Sequence, residues 1–522
     1  MTRSCRSTVT AIAAALMLVS AWPAAAREIA RGIVFHDLNA NSLRDADEPG
    51  LPDIRISNGA QIVLTDADGA YELPVSGDAD IFVIKPSGWA PPLTEHNTPA
   101  FYYIHRPDGS PDLKHGGVAP TGPLPESIDF PLIERPEPDR FRALFFGDTQ
   151  VRNITEVEYL SHDVLEEIRD SGLAHAEDML FGVTLGDNVF DNIQDMEALR
   201  GAFGTAGVTW RNVLGNHDMD YDAPGDEFST ETFTRVFGPP TYSFEIGKVH
   251  FVALDDVIWE GDEYHGGLSE NDLTFLRNDI ALAPEDYLVV LLMHIPIYNT
   301  ETREAVFDIL SEREHTFSAS AHAHVQAHQF LGADAGWKRE EPHHHLIAGT
   351  VCGCWWQGVK DERGIPHATM PDGAPNGYLV FTFDGADYSF EFKAASRPAE
   401  YQMAIHLPEE VPAAELADTE ALVNVFAGSE RSTVRMRVGD GARWIPLEHV
   451  MGRKDPAFER MKALEDNQHD SLGPKLPNPA DVTHMWSGRL PAGIAPGTHV
   501  LDVQTTDMFG RVYTASRIFR VK

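Results

Sequence analysis

Side chains that can bind metal ions recur in the middle of the chain, each time directly after a stretch with the pattern of a buried strand. The stretches are FRALFFGDTQ, MLFGVTLGDN, GVTWRNVLGNHD, YLVVLLMHIPIY and TFSASAHAHVQAH. Their polar residues are Asp148, Gln150, Asp187, Asn216, His217, Asp218, His294, His322 and His324. Mixed oxygen and imidazole ligands suit Mn, Fe, Zn or Mg, and ligand sites in open α/β sheets form at strand ends. The pattern therefore favours a metal centre.

Each motif alone has a simpler explanation. A Gly-Asp pair after a strand is commonly a turn, and a lone histidine is more often a hydrogen-bonded core residue than a ligand. Five strand ends that together supply oxygens and imidazoles are hard to explain as turns. The set is therefore more typical of a metal centre than of a series of turns. Two ions ~3.5–4 Å apart can hold the attacking and leaving oxygens of an in-line phosphoryl displacement, so no protein nucleophile is needed.

The order of these motifs resembles that of the calcineurin-like metallophosphoesterases, whose pattern is Asp-x-His, Gly-Asp, Gly-Asn-His-Asp/Glu, a single His and Gly-His-x-His. The later stretches GTVCGCWWQG, RGIPHATMPDGAPNGYLVFTFDG and HMWSGRLPAGIAPGTHVLDVQTTDMFGR are similar to exported bacterial members with extra N- and C-terminal domains. Two residues depart from the pattern, because Gln150 stands for a histidine and Ala321 for a glycine. A neutral amide is a weaker ligand than imidazole, which leaves the occupancy and identity of the first metal open.

The resemblance implies two divalent ions, here called metal 1 and metal 2. The implied ligands of metal 1 are Asp148, Asp187, His324 and, directly or through water, Gln150. The implied ligands of metal 2 are the bridging Asp187 together with Asn216, His294 and His322.

The resemblance also implies how the reaction runs. A hydroxide between the two ions attacks phosphorus, and His217 faces the phosphate to stabilise charge or to protonate the leaving alkoxide. Either Asp218 or Asp191 could orient that imidazole. Diesters are slightly favoured over monoesters, because no basic clamp for a dianionic monoester is visible in the catalytic domain.

A non-enzymatic alternative belongs to a different class of protein. In it, the flanking β domains bind polymers at a surface and the phosphoesterase core has decayed. The substitution at Gln150 favours this alternative, whereas the intact motifs at the other strand ends argue against it.

Composition limits the possible partners. The 522 residues include 80 acidic and 41 basic ones, which gives a formal net charge of −39. Such a surface repels phosphate backbones, so we expect a small phosphate-ester substrate and no nucleic-acid polymer. Cys352 and Cys354 are too close in sequence for an unstrained disulfide, and we expect two packed thiols. The oligomeric state is not predicted.

Pattern changes along the chain predict an α/β protein with β-rich flanks. Short alternating strands over 27–135 predict a β-sandwich of the immunoglobulin or Cna-B type. Strands that alternate with helical stretches over 136–392 predict an α/β layout. The resemblance implies that this catalytic domain is a calcineurin-like β-sandwich flanked by helices. Alternating strands return over 393–522 and predict a C-terminal β domain.

Residues 1–26 have the pattern of a secretory signal peptide. Arg3 and Arg6 precede an apolar run that is too short to span a bilayer, and Ala24 and Ala26 have the spacing of a cleavage site. We expect cleavage before Arg27, a periplasmic or secreted protein and no membrane span.

The stretch DLNANSLRDADE in the N-terminal region resembles calcium loops in β-sandwich modules of adhesins. Acids and amides occupy positions 1, 3, 5, 9 and 12 of this loop. These residues are Asp37, Asn39, Asn41, Asp45 and Glu48. Ser42 stands where glycine is expected, and the alternative is an acidic turn without calcium.

Three further features could belong to the pocket. Of His343, His344 and His345, we expect at least one on the surface, with a pocket role for the others left open. The segment 254–267 and the pair Trp355 and Trp356 could form pocket walls, although core packing explains them about as well.

Overall fold

The computed structural model describes residues 28–467 and 475–522. The predicted signal peptide lies outside these described residues. No helix in the described ranges is long and apolar enough to cross a membrane.

Two four-stranded sheets form the N-terminal region. The strands are β1 (Glu28–His36), β2 (Arg55–Ser57), β3 (Ile62–Leu64), β4 (Ala70–Val75), β5 (Ala79–Ile84), β6 (Trp89–Ala90), β7 (Tyr102–His105) and β8 (Phe130–Glu134). They pair in the orders β4-β1-β8-β6 and β3-β2-β5-β7. Val34 from the first sheet and Ile56 and Phe82 from the second lie in one buried apolar cluster. The alternation read from the sequence therefore reflects two sheets that each bury one face.

The central region contains a five-stranded sheet, a six-stranded sheet and a hairpin. The strands are β9 (Arg140–Phe146), β10 (Met179–Leu185), β11 (Trp210–Val213), β12 (Tyr242–Ile246), β13 (Val249–Ala253), β14 (Val257–Trp259), β15 (Tyr264–Gly266), β16 (Leu288–Leu292), β17 (Thr316–Ser320), β18 (Ala327–Leu331), β19 (His343–Ile347), β20 (Gly377–Asp384) and β21 (Asp387–Ala394). The sheet orders are β11-β10-β9-β20-β21 and β12-β13-β16-β17-β19-β18, while β14 pairs with β15.

Parallel pairing in both central sheets explains the continuous apolar runs of the sequence. β9, β10 and β11 are parallel to one another, as are β13, β16, β17 and β19. Parallel strands are covered on both faces, so β16, with the sequence LVVLL, is buried at every position. The five segments with candidate ligands follow the carboxyl ends of β9, β10, β11, β16 and β17.

Helices cover the central sheets and connect their strands. They are α1 (Ile154–Leu160), α2 (Glu166–Asp170), α3 (Met196–Thr205), α4 (Glu231–Phe237), α5 (Glu270–Leu282) and α6 (Arg303–Leu310). A π-helical turn, Ser161–Leu165, joins α1 to α2. Short 3-10 turns are Leu173–His175, Ile193–Asp195, Asn216–Asp218, Asp226–Phe228, Ile297–Asn299, Ala333–Ala335 and Ala413–Asp418. Ser269 begins α5 through a capping box with Asp272.

The C-terminal region again has two sheets and one helix. Its strands are β22 (Met403–His406), β23 (Glu410–Val411), β24 (Glu420–Val425), β25 (Thr433–Val438), β26 (Ile445–Pro446), β27 (Glu448–Val450), β28 (Met485–Arg489), β29 (Gly497–Thr506) and β30 (Val512–Val521), and its helix is α7 (Pro456–Asp466). The sheet orders are β22-β24-β28-β27 and β23-β30-β29-β25-β26. Val423, Trp486 and Leu501 pack in the core between them.

The predicted fold class, α/β with β-rich flanks, is confirmed by this architecture. The exact domain boundaries stay predictions. Cys352 and Cys354 are both free and buried, as expected.

A buried ion network joins the N-terminal sheets to the central ones. Nε2 of His250 on β13 lies 2.7 Å from Oδ2 of Asp279 on α5, and its Nδ1 lies 3.4 Å from Oε1 of Glu245 on β12. Arg55 on β2 forms an ion pair with Glu245 and lies 3.7 Å from Asp279. Ion pairs among these four side chains therefore connect an N-terminal sheet, the six-stranded central sheet and helix α5.

Candidate metal centre

Two glycines allow the strand-end loops to approach one another. Gly186 has φ 86°, and a Cβ atom there would lie 2.4 Å from Nδ1 of His294. A Cβ atom on Gly215 would lie 2.0 Å from the backbone nitrogen of Asp187. Any larger residue would therefore separate Asp187, Asn216 and His294.

The residues assigned to metal 2 lie together in the structure. Asp187, His294 and His322 offer ligand atoms that all lie within 4.8 Å of one another. Nε2 of His294 lies 3.2 Å from Oδ1 of Asp187, 3.1 Å from Nδ1 of His322 and 3.0 Å from Oδ1 of Asn216. Nδ1 of His294 donates to the carbonyl of Leu185 at 2.9 Å. That bond fixes the tautomer, so Nε2 can offer its lone pair to the cluster.

The residues assigned to metal 1 adjoin this cluster. Nδ1 of His324 lies 2.7 Å from the carbonyl of Gly353, and its Nε2 lies 3.3 Å from Oδ2 of Asp148. Nε2 of Gln150 donates to Oδ2 of Asp187 at 2.8 Å. Oδ2 of Asp148 and Oε1 of Gln150 are buried and accept no hydrogen bond from the described residues. Buried acceptors without donors are rare, and here they fit a cation.

Charge in the cluster also fits cations. Burial alone would raise the pKa of Asp187, but the charge and hydrogen bond of His294 outweigh burial and hold that pKa below its usual range. Burial would lower the pKa of His294, yet Asp187 and Asp148 raise it to about 10. The carboxylates therefore stabilise positive charge at the point where a metal ion would supply it.

Backbone strain is concentrated at this centre. Six of the eleven described non-glycine residues with positive φ belong to it or to its wall. They are Gln150 (30°), Asp187 (45°), Asp191 (58°), His322 (65°), His324 (52°) and Trp355 (61°). Such conformations cost on the order of 1–3 kcal/mol each and persist where the surroundings hold them. The fold thus maintains an unfavourable backbone in order to present these side chains.

His217 lies beside the cluster and pairs with Asp191. Its Nδ1 lies 2.6 Å from Oδ1 of Asp191, and its ring stacks on Phe190 at 4.4 Å. Its backbone N–H donates to Oδ1 of Asp187 at 2.9 Å. Burial would lower the pKa of His217, but the hydrogen bond to Asp191 and the charges of Asp187 and Asp191 raise it. Of the two orienting carboxylates left open by the sequence, the structure places Asp191 against the ring.

Asp218 instead lies beneath the loop, and its proposed contact with the ring of His217 is absent from the described contacts. Its carboxylate is buried and accepts the backbone N–H groups of Asn188, Val189 and Gly215 at 2.9–3.0 Å. Burial, together with the charge of Asp187, raises the pKa of Asp218 to about 7. Its contacts stabilise the two loops that carry Asp187 and Asn216, which is a structural role.

Aromatic side chains form walls on both sides of the cluster. On the metal 1 side, the ring of Trp355 lies 4.9 Å from His324 and 5.7 Å from Phe190. On the metal 2 side, the ring of Tyr264 on β15 lies 6.3 Å from His322. The pocket-wall interpretation thus fits Trp355 and part of segment 254–267, whereas Trp356 is buried in the core.

Three wall residues were missed by sequence reasoning. Phe190 stacks on His217, and the hydroxyl of Tyr221 donates to the carbonyl of Asn216 at 2.8 Å. Arg152 lies over the ring of Trp355 at 5.9 Å. All three lie within five residues of a candidate ligand, which is the signal that could have identified them.

The expectation that one of His343, His344 and His345 lies on the surface is wrong. The three side chains are buried, with 1%, 6% and 0% of their area exposed. Strand β19 lies between β17 and β18, so both of its edges are paired, and all five of its residues are buried, which shows that both faces are covered as well. Nδ1 of His344 lies 2.7 Å from the hydroxyl of Tyr388, on the face opposite to that of the other two.

Hydroxyl groups on β17 satisfy the other two imidazoles. Nδ1 of His343 lies 2.9 Å from Oγ1 of Thr316, and its Nε2 lies 2.7 Å from Oγ of Ser318. Nδ1 of His345 lies 2.7 Å from Oγ of Ser318, and its Nε2 lies 2.9 Å from Oγ of Ser320. Burial lowers the pKa of His343 to about 3, so this imidazole is neutral. We call these five side chains the imidazole–hydroxyl ladder.

The predicted calcium loop folds on its own hydrogen bonds. Asp37 accepts the backbone N–H groups of Asn41 and Ser42, and Asp45 accepts the side-chain amides of Asn39 and Asn41. Glu48 accepts the backbone N–H groups of two loop residues. Ser42 has φ 62°, the conformation for which glycine is preferred. Calcium binding stays a prediction, and so does the acidic-turn alternative.

The structure is that of an α/β protein with a candidate metal site, formed by carboxylates and imidazoles at the carboxyl ends of parallel strands. Two family models match the chain. The model described as the N terminal of calcineurin-like phosphoesterase matches residues 39–115, and the model of the C terminal of calcineurin-like phosphoesterase matches residues 345–513. Both matches are to calcineurin-like phosphoesterases, in agreement with the resemblance seen in the sequence.

One solved structure similar to the chain is that of purple acid phosphatase PPD1 from yellow lupin (Lupinus luteus) seeds. The identity is 12% and the TM-score 0.35, over 66% of this chain and 67% of that one. The comparison with curated proteins gave no significant match.

Proposed function

We propose that the protein is a metal-dependent phosphoesterase that hydrolyses small phosphate esters with two divalent ions, drawn from Mn, Fe, Zn and Mg. The observation that carries this proposal is the convergence of ligand atoms from Asp187, His294 and His322 within 4.8 Å, with His217 beside them. The matches to the two calcineurin-like phosphoesterase models support the same reaction class.

Each candidate ligand has a part in this proposal. Asp148, His324 and the oxygen of Gln150 would hold metal 1, Asn216, His294 and His322 would hold metal 2, and Asp187 would bridge the two. When bound, the ions supply positive charge that polarises the phosphoryl oxygens and activates water.

His217 would deliver a proton to the leaving oxygen. The hydrogen bond from its Nδ1 to Asp191 stabilises the protonated ring and leaves Nε2 as the donor towards substrate. Stacking on Phe190 restricts the ring to that orientation. Positioned general acids of this kind contribute roughly 10²–10⁴-fold to rate.

A diester is slightly favoured over a monoester. Arg152 is the cation beside the pocket wall, and its guanidinium already donates to Glu156 and, at 3.2 Å, to Gln357. A dianionic monoester is bound most strongly where a free cation can pair with its second negative charge. A diester carries a second substituent in place of that charge and therefore needs no such cation. The engaged state of Arg152 therefore supports the diester.

Export to the periplasm or the exterior is also proposed, and it rests on the pattern of residues 1–26 alone. The intact mass of protein recovered from its host tests it. The expected mass is that of a chain that begins near Arg27, and a mass that retains residues 1–26 or carries acyl chains contradicts export with cleavage.

The function is tested with protein that is stripped of metal and reconstituted with each candidate ion in turn. The substrates are bis(p-nitrophenyl) phosphate, p-nitrophenyl phosphate and esters of nucleotides and lipid headgroups. Metal-dependent turnover is expected, with higher kcat/KM for the diester. His294→Ala serves as the control without an intact metal 2 site. Absence of turnover with every ion would support the non-enzymatic alternative, and a preference for monoesters would overturn the diester assignment alone.

A further inference from the structure

The loop between β17 and β18 carries one candidate ligand of each metal. His322 and His324 both have positive φ, 65° and 52°. Two left-handed non-glycine residues so close together need support from outside the loop. The loop ends at Gln326, which is buried immediately before β18.

Gln326 is held from several directions. Its backbone N–H donates to Oδ2 of Asp372 at 2.8 Å, and its Oε1 accepts the backbone N–H of Gly349 at 2.6 Å. Its backbone carbonyl accepts the hydroxyl of Thr483 at 3.3 Å. One of these partners, Thr483, comes from the C-terminal region.

Asp372 is in turn held by the C-terminal region. Its buried carboxylate lies 3.2 Å from Nε2 of His484, and its backbone carbonyl accepts Nδ2 of Asn424 at 2.8 Å. Nδ1 of His484 lies 2.7 Å from Oδ1 of Asn424. Asn424 also donates to Oδ2 of Asp455, the residue that caps α7. All four side chains are buried.

These contacts connect a C-terminal sheet to the loop between β17 and β18. Asn424 belongs to β24, and His484 directly precedes β28, its partner in the same sheet. Asp372 is hydrogen-bonded to both residues and also accepts the backbone N–H of Gln326, which lies two residues after His324. Buried polar networks restrict the backbone that they contact, and the polar side-chain groups of this network are hydrogen-bonded apart from Nε2 of Gln326, which has no partner among the described residues.

We propose that His484, Asn424 and Thr483 are positioning residues for the metal centre, which hold the loop that presents His322 and His324. His484 and Asn424 act through Asp372 and Gln326, and Thr483 acts on Gln326 directly. The C-terminal β region is thus part of the apparatus that sets metal affinity. The proposal rests on the proposed function only in assuming that this cluster binds metal, and its test measures metal binding rather than turnover.

Two substitutions of one residue separate positioning from bulk stability. In His484→Gln the side-chain amide can replace Nε2 and donate to Asp372, whereas in His484→Asn it reaches only the position of Nδ1. His499→Asn is the control. His499 lies on β29 of the other C-terminal sheet, and its Nε2 contacts the carbonyl of Ala495. Each full-length protein is stripped of metal and titrated with Co²⁺, which reports affinity by calorimetry and ligand geometry by visible absorption.

His484→Asn is expected to bind Co²⁺ about tenfold more weakly and with an altered spectrum, as residues behind metal ligands commonly do. His484→Gln should remain within about threefold of wild type, and His499→Asn should match wild type. A folded His484→Asn variant with wild-type affinity and spectrum would overturn the proposal. Equal losses in His484→Asn and His484→Gln would also overturn it, because the contact with Asp372 would then be irrelevant.

Thr483→Val covers the case in which His484→Asn fails to fold. It removes one hydrogen bond to the carbonyl of Gln326. A severalfold loss of Co²⁺ affinity is expected, and unchanged affinity refutes the proposal. If wild type binds Co²⁺ and the variants respond as expected while no ester is hydrolysed, the proposed function fails and the positioning role stands.

Discussion

His217 differs from the candidate metal ligands, because its side chain contacts Asp191 and Phe190 and not the ligand cluster. We predict that His217→Ala abolishes turnover while metal content stays near wild type, since the ring is assigned to the substrate. Elemental analysis beside a rate assay tests this. A variant that keeps most of its rate, or that loses its metals, removes His217 from the assigned role.

Gln150 is the residue that most distinguishes this centre from the common family pattern. Its oxygen is buried without a donor among the described residues, while its nitrogen donates to Asp187. If that oxygen is a weak ligand, metal 1 exchanges faster than metal 2 and activity depends on added metal. Gln150→His should tighten metal 1 without necessarily raising the rate, because imidazole is shorter and stiffer than the amide arm.

Metal titration of wild type and Gln150→His after chelation, with both occupancy and rate followed, tests the role of Gln150. His328→Gln is a suitable control, since its ring contacts His344 away from the ligand cluster. Identical affinities for both ions in wild type and Gln150→His would place Gln150 outside the ligands of metal 1.

The sequence did not decide whether Asp191 or Asp218 contacts the ring of His217. Asp218 is adjacent to His217 in the chain, yet its carboxylate accepts three backbone N–H groups, two from the neighbouring loop and one from its own. Asp191 belongs to the loop after another strand and reaches the ring in space. Side-chain direction in a loop depends on contacts with distant residues, which a single sequence does not display.

At the scale of elements, the strand ends were predictable because an apolar run followed by a ligand is a local pattern. β10 and β16, with Asp187 and His294 after them, illustrate this. The histidine run on β19 was misread, because its partners lie on β17. Three consecutive polar imidazoles suggested a surface position. Hydroxyl groups on the neighbouring strand satisfy two of these imidazoles and make their burial possible.

The imidazole–hydroxyl ladder leads to a prediction for stability. Ser318→Ala leaves Nε2 of His343 and Nδ1 of His345 without their shared partner. Unsatisfied buried polar groups cost about 1–3 kcal/mol each, so the free energy of unfolding should fall by about 2–6 kcal/mol. Urea denaturation measures the change, with the exposed Ser127→Ala as control. A change below about 0.5 kcal/mol would mean that the two imidazoles find other partners.

At the scale of the whole molecule, the buried network around His250 predicts how stability depends on pH. Burial would lower the pKa of His250, but the charge and hydrogen bond of Asp279 and those of Glu245 raise it to about 9. The folded protein therefore retains a proton that the unfolded chain releases above pH ~6.5. This stabilisation is fully present below that pH and is lost as pH rises through about 9.

The measurement is the difference in unfolding free energy between wild type and His250→Gln, because other groups titrate in the same range. This difference should shrink by on the order of 3 kcal/mol between pH 6 and pH 9.5. A difference that is constant across that range would show that His250 is neutral in the folded protein.

The residues that brace the metal loop come late in the chain. All seven candidate ligands have been synthesised once translation reaches His324, whereas Asn424, Thr483 and His484 follow much later. If the positioning role holds, a nascent chain carries all seven ligands well before the residues that support two of them have been synthesised. Full metal affinity is then expected only after the C-terminal sheets have packed on the central ones. A chain that stalls before residue 424 should bind metal more weakly than the full-length protein.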